Sequence, residues 1–154
     1  MNSGLDWKRS ESGDWVVLDI GGSISEASDF GALLEAAGPK VRLDLKGLKR
    51  INSSGVREWM RFITSLANGR EIELHHVSPP FVQQLNIVAN FAGGSKIVSV
   101  MLPYVCDACG HEEERVLEVA GSAPAELPEI QCGECDEAMA FDDIPDSYFG
   151  FLKG

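Results

Sequence analysis

Four cysteines carry the clearest chemistry in this chain. Cys106-Asp107-Ala108-Cys109 and Cys132-Gly133-Glu134-Cys135 are two CxxC pairs with 22 residues between them. Each pair can close a tight knuckle on one side of a metal ion, and two knuckles complete a tetrahedral thiolate site. Gly110 follows the first knuckle, where a permissive backbone lets amide groups turn towards sulfur. Gly133 lies inside the second. Cys106, Cys109, Cys132 and Cys135 are therefore expected to hold one structural zinc ion. His111 stands close by, but four thiolates already fill the coordination shell. A catalytic zinc keeps a position open, and nothing in the pattern marks one.

The segment between the pairs has its own pattern. The spacing is slightly longer than usual for two zinc knuckles. Glu114–Val119 alternates like a strand, Pro124 and Pro128 make a turn, and Glu129–Gln131 can return. The whole resembles a zinc ribbon. Two other uses of the cysteines compete with this one. Disulfides are rare in a reducing compartment. A thioredoxin-like pair needs a helix opening at the motif, and Gly110-His111-Glu112-Glu113 leads into a strand instead.

The second group with chemical potential is Asn52-Ser53-Ser54-Gly55. It follows a buried strand, Val41–Leu45, and precedes an amphipathic helix. Val56, Trp59, Met60, Ile63, Leu66 and Ala67 fall on one helical face, with Arg57, Glu58, Arg61 and Thr64 on the other. No base lies near the serines in sequence, so an enzyme nucleophile is a poor reading. A helix start instead offers free N–H groups and the positive end of the dipole, which suits a phosphate. A phosphoserine there adds close to two negative charges. The plainer reading is that Ser53 or Ser54 only caps the first turn.

Val41 to Leu66 resembles the signature region of the STAS domain, the anti-sigma-factor antagonist family. Its members carry a hydrophobic strand ending in Leu-Asp-Leu, then Asp-Ser-Ser-Gly opening a helix. Here Leu43-Asp44-Leu45 is followed by Gly47-Leu48 and Asn52-Ser53-Ser54-Gly55-Val56. The resemblance extends more weakly over residues 5–102. It implies a phosphorylatable serine at Ser54. It also implies a partner surface at Asn52, Ser53, Ser54, Gly55 and Arg57, and a serine kinase or anti-sigma-type regulator as the bacterial partner. The chain departs from the family at Asn52, where Asp is usual; an amide can hold the loop but lacks the charge. Two functions follow. One is a non-enzymatic signalling adaptor switched at Ser54. The other is a constitutive scaffold subunit in which the switch is lost and the ribbon stabilises or docks. A redox enzyme using the CxxC pairs would need those cysteines free of tightly held metal.

The elements that position these groups are legible from period and turn residues. Asp6–Glu11 and Trp15–Ile20 read as strands joined by a tight turn at Ser12-Gly13-Asp14. Glu26–Ala37 reads as a helix stopped by Gly38, with Phe30, Leu33, Leu34 and Ala37 on its apolar face. Glu71–Val77 alternates as a strand with Ile72, Leu74 and His76 on one face. Pro79 or Pro80 opens a helix over Phe81–Phe91, with Val82, Leu85, Val88 and Ala89 inward. Ile97–Leu102 is a last strand. This order implies an α/β sandwich with a mainly parallel sheet, as the STAS resemblance does. The family usually adds a helix after its last strand, and here the cysteine module stands in that place. His75 and His76 are adjacent on a strand and point to opposite faces, so they are read as structural or surface residues. Gly21-Gly22 and Gly93-Gly94 are read as loops without a nucleotide-binding context.

Charge divides the chain at Leu102-Pro103. Residues 1–102 hold 11 Lys and Arg against 11 Asp and Glu, whereas residues 103–154 hold 2 against 13. The whole net charge of −11 thus belongs to the cysteine module. Two modules are expected, a STAS-like domain over 1–102 and an acidic ribbon over 103–154. An acidic surface disfavours nucleic acid and anionic membranes and favours a basic protein partner. Phe141, Ile144, Tyr148, Phe149, Phe151 and Leu152 are expected to pack back on a ribbon too small to cover itself. With no signal-peptide pattern and no apolar run near 20 residues, the chain is read as soluble and cytoplasmic.

Overall fold

The computed structural model describes residues 4–119, 124 and 126–152. It begins with a hairpin, β1 (Leu5–Ser12) and β2 (Trp15–Ile24), joined by a two-residue turn in which Gly13 has φ +60°. Beside β2 lies β3 (Lys40–Asp44), and beside β3 lies the later strand Glu71–His75; both pairings are parallel. The alternation of β2 and β3 explains the core. Val16 sits opposite Val41 and Leu18 opposite Leu43, and these side chains are buried on one face with Ile72 and Leu74. Residues pointing the other way, among them Trp15, Val17, Arg42 and Glu73, stay half-exposed.

Helices fill the apolar face. These are α1 (Gly31–Ala36), α2 (Ser53–Leu66) and α3 (Pro79–Ile87). Trp59 is the centre of their packing. It lies edge-on to Phe81 at 5.0 Å, and its indole N–H donates to the Phe91 carbonyl at 2.7 Å. Phe62 stacks on Phe30 at 4.5 Å. Phe62 and Phe81 were not among the expected core positions, and Ala89, expected inward, is exposed.

Other local expectations need correction, and the helix expected over Phe81–Phe91 in fact ends at Ile87. The first helix is Gly31–Ala36, not Glu26–Ala37. Side chains ahead of it take the local backbone into turns: Ser28 Oγ accepts from Ser25 N–H, Ser25 Oγ from Ala27 N–H, and Asp29 from Gly31 N–H. The stretch before Asn52 is not only a connection. It contains β4 (Leu48–Ile51), which pairs in parallel with the end of β2. Gly21-Gly22 is not a loop but part of β2, where Gly22 has φ +82° and a Cβ would meet the Gly4 carbonyl oxygen at 2.1 Å. His76 is not on the strand, because β5 (Glu71–His75) ends one residue earlier and His76 turns with φ +52°.

That turn also divides the expected strand Ile97–Leu102. The short β6 (Lys96–Ile97) pairs with β5. Beyond it β5 offers no further partner, and the chain enters a second sheet as β7 (Ser99–Val105). β7 lies between β8 (Glu112–Glu118) and β9 (Ala140–Phe141), both antiparallel to it. The first sheet has the order β1-β2-β3-β5-β6, with β4 on the side of β2, and the second β8-β7-β9. The fold is thus mixed α/β, with a mostly parallel sheet and a small antiparallel one. The position Leu102-Pro103 falls inside β7. Val77 bridges the two sheets: its N–H donates to Ser99 and its carbonyl accepts from Met101. The tail returns as α4 (Pro145–Tyr148) and a 3-10 turn at Gly150–Leu152. It packs on α3 through Asn86, which donates to the Tyr148 carbonyl and accepts from Phe151 N–H. The expected turn around Pro124 falls largely outside the described residues.

Candidate functional site

The four cysteines converge at one end of the second sheet. Cys106 follows β7 directly, and Cys109 closes the tight turn after it. Cys132 and Cys135 form the facing turn ahead of β9. The Sγ atoms of Cys106 and Cys135 are 3.5 Å apart and those of Cys109 and Cys132 3.6 Å. All four sulfurs lie within 4.8 Å of one another, and none is joined in a disulfide. Cys106 and Cys132 are buried, while Cys109 and Cys135 reach the surface. Such a cluster can hold a metal ion.

The two turns repeat one backbone design. Gly110 N–H donates to the Cys106 carbonyl and Cys106 N–H to the His111 carbonyl; Asp136 N–H donates to the Cys132 carbonyl and Cys132 N–H to the Glu137 carbonyl. Gly110 has φ +80° and Asp136 φ +64°. The position after each CxxC must therefore be left-handed, which Gly takes freely and Asp tolerates. Asp136 was missed in the sequence; its place after the second pair, matching Gly110 after the first, was the available signal.

The sulfurs are electrostatically unequal. The Cys109 N–H points at the Cys106 sulfur and holds that thiol down to about 7. The Cys135 thiol receives the Glu137 N–H, but the neighbouring Cys106 sulfur and burial override this and push it up to about 12. One sulfur ionises readily and its neighbour then resists. A cation at the centre removes that conflict and lets all four be thiolates.

Glu113 on β8 joins the turns and was also missed. Its carboxylate accepts from Gly133 N–H at 3.4 Å, contacts His111 Nε2 at 3.2 Å and pairs with Arg115 at 2.6 Å. Burial opposes its charge, yet the Gly133 N–H and Arg115 prevail and hold its carboxyl below the usual value. His111 is thus occupied by Glu113.

The second candidate, the start of α2, differs from expectation in its cap and in Gly55, which was expected in the partner surface but is buried. The cap is neither Ser53 nor Ser54. Asn52 Oδ1 accepts from Gly55 N–H at 2.7 Å, and Asn52 Nδ2 donates to Glu26 at 3.2 Å. Asn52 stands in extended backbone one residue ahead of the helix, the geometry a cap requires. Ser53, Ser54 and Arg57 are exposed, and among the described residues neither serine hydroxyl has a partner. Gly55 is buried. A Cβ there would lie 2.2 Å from the Ile24 carbonyl oxygen. Glycine is required because the helix start is pressed against the end of β2.

The two histidines, expected on opposite faces, instead lie edge to face with ring centroids 6.3 Å apart, because His76 leaves the strand, and each holds its own carboxylate. His75 Nε2 contacts Glu73 at 2.9 Å and His76 Nδ1 contacts Asp44 at 3.0 Å. No helix among the described residues is long and apolar enough to cross a membrane. No protein-family model matches this chain, and no curated protein matches it.

Proposed function

We propose that this chain is a non-catalytic signalling adaptor of the STAS type, with Ser54 as its phosphorylatable switch. One observation carries the reading. The capping role at α2 belongs to Asn52, so the Ser54 hydroxyl is exposed and uncommitted at the N-terminus of a 14-residue helix. A kinase can reach it without undoing the fold. A phosphate there meets the positive end of the helix dipole. The partner surface comprises Asn52, Ser53, Ser54 and Arg57, with the buried Gly55 beneath it. The partner is a serine kinase or anti-sigma-type regulator. Mass spectrometry of the protein isolated from its host tests this, with phosphate on Ser54 expected. Phosphate on other residues with Ser54 always bare would sink it.

A constitutive scaffold is the second reading. It is favoured by the full structural employment of Asn52 and Gly55, which explains those two positions of the motif without any switch.

The ion held by Cys106, Cys109, Cys132 and Cys135 is, in this reading, a structural zinc. A tetrahedron with zinc–sulfur bonds of about 2.3 Å has sulfur–sulfur edges of about 3.8 Å, close to the 3.5 and 3.6 Å separations across the turns. Four thiolates leave no open position for substrate. Elemental analysis should find one equivalent of zinc per chain. A coloured protein with one equivalent of iron would replace zinc with iron in the same site.

A further inference from the structure

We propose that two copies of this chain pair through β1, forming an isologous dimer centred on Trp7. β1 ends its sheet, and its outer edge has no partner strand among the described residues. It pairs with β2 without interruption from Leu5 to Ser12, and it contains no proline. Every residue after Leu5 is exposed, including Trp7 at 38%. An edge of this length and regularity is a template for another strand.

The hairpin fixes which backbone groups face outward. A two-residue turn makes its flanking residues, Ser12 and Trp15, a hydrogen-bonded pair. At the other end, Ser23 N–H donates to the Gly4 carbonyl. Both ends give one parity: Leu5, Trp7, Arg9 and Glu11 direct their N–H and C=O groups away from β2. A two-fold axis perpendicular to the sheet keeps matching faces together, so a residue can oppose only one of its own parity.

Charge selects the register. With Trp7 opposite the partner's Trp7, Asp6 lies opposite the partner's Lys8 and Lys8 opposite the partner's Asp6. Both ion pairs form on the polar face, where Asp6 and Lys8 have no ion pair of their own among the described residues. The two Trp7 rings cover each other on the opposite face. Centring on Asp6, Lys8 or Arg9 places two like charges on the axis, which destabilises a strand pair. Centring on Ser10 pairs Arg9 with Glu11 but leaves Trp7 uncovered, and those two side chains already pair within one chain at 2.8 Å.

Sedimentation equilibrium on the full chain tests this with three charge variants. Wild type is expected to dimerise reversibly. Asp6→Lys alone and Lys8→Asp alone each set like charges opposite one another and weaken the dimer by roughly tenfold or more. The double variant Asp6→Lys/Lys8→Asp restores wild-type association. Mixing the two single variants gives a heterodimer tighter than either homodimer. Both side chains are exposed, and unchanged far-UV circular dichroism confirms that each variant folds. A wild type that stays monomeric throughout the micromolar range would overturn the proposal, and so would a dimer indifferent to both single swaps.

Discussion

Asn52 uses both ends of its amide, one on Gly55 N–H and one on Glu26. An aspartate could make the first contact but would repel Glu26. The asparagine is therefore suited to this loop, and it frees the serines that follow. Removing the cap should cost stability where removing a hydroxyl does not. Asn52→Ala is expected to lose about 1 kcal/mol, while Ser54→Ala stays within about 0.5 kcal/mol, as an exposed substitution does. Urea titration of the two variants measures this. A loss for Ser54→Ala as large as that for Asn52→Ala would return the cap to serine. Spacing made the four cysteines legible, because a metal knuckle needs little beyond its own few residues. Asn52 and Gly55 were harder to read. What each does depends on Glu26 and on the Ile24 carbonyl, both distant in sequence.

Among elements, α2 was the most legible, because its apolar period is long and its burial strong. α1 was overextended because Ser25, Ser28 and Asp29 bond to the nearby backbone, which apolar period does not register. β4 has four residues, two of them exposed, and exists because β2 runs on to Ile24. The strand expected over Ile97–Leu102 changes sheets because His76 ends β5. On the open sheet face, β3 and β5 are joined by Arg42 and Glu73 at 3.1 Å, with His75 on the same carboxylate at 2.9 Å. Burial opposes the charge of Glu73, but the His75 and Arg42 hydrogen bonds prevail and lower its carboxyl below 4.5. Such a group contributes stability above its unfolded value, and that stability is lost as pH falls through the lower folded value. Wild-type urea midpoints should therefore fall as pH drops below 4.5, and Glu73→Gln should flatten part of that slope. Equal slopes in both proteins would contradict the assignment.

At the scale of the molecule, the acidic segment is fastened to the first sheet rather than tethered beside it. β7 carries Val100 and Leu102 into the common core, and the tail adds Tyr148 and Phe149. The Tyr148 hydroxyl donates to the Met101 carbonyl, and burial pushes that hydroxyl's pKa up. Charge imbalance in the sequence signalled a change of surface at Leu102-Pro103, but it could not show that one strand crosses that point. Metal should consequently stabilise more than the cysteine turns. Stripping it with a strong chelator is expected to lower the melting temperature and to weaken the near-UV signal of Tyr104, Phe141 and Tyr148, while most far-UV signal from the helices remains. Glu113→Ala, which unties Gly133 from β8, should weaken metal affinity about tenfold. A chelated protein with unchanged melting and near-UV spectrum would separate the cluster from the fold.

The adaptor reading meets its most direct test in binding of the host regulator to three baits. These are wild type, Ser54→Ala and Ser54→Asp, compared by quantitative affinity capture from host lysate. The account predicts that a kinase or anti-sigma-type regulator is held by wild type and Ser54→Ala and released by Ser54→Asp, because a charge desolvated in a docking surface is costly. The same partners in the same amounts on all three baits would contradict a switch at Ser54.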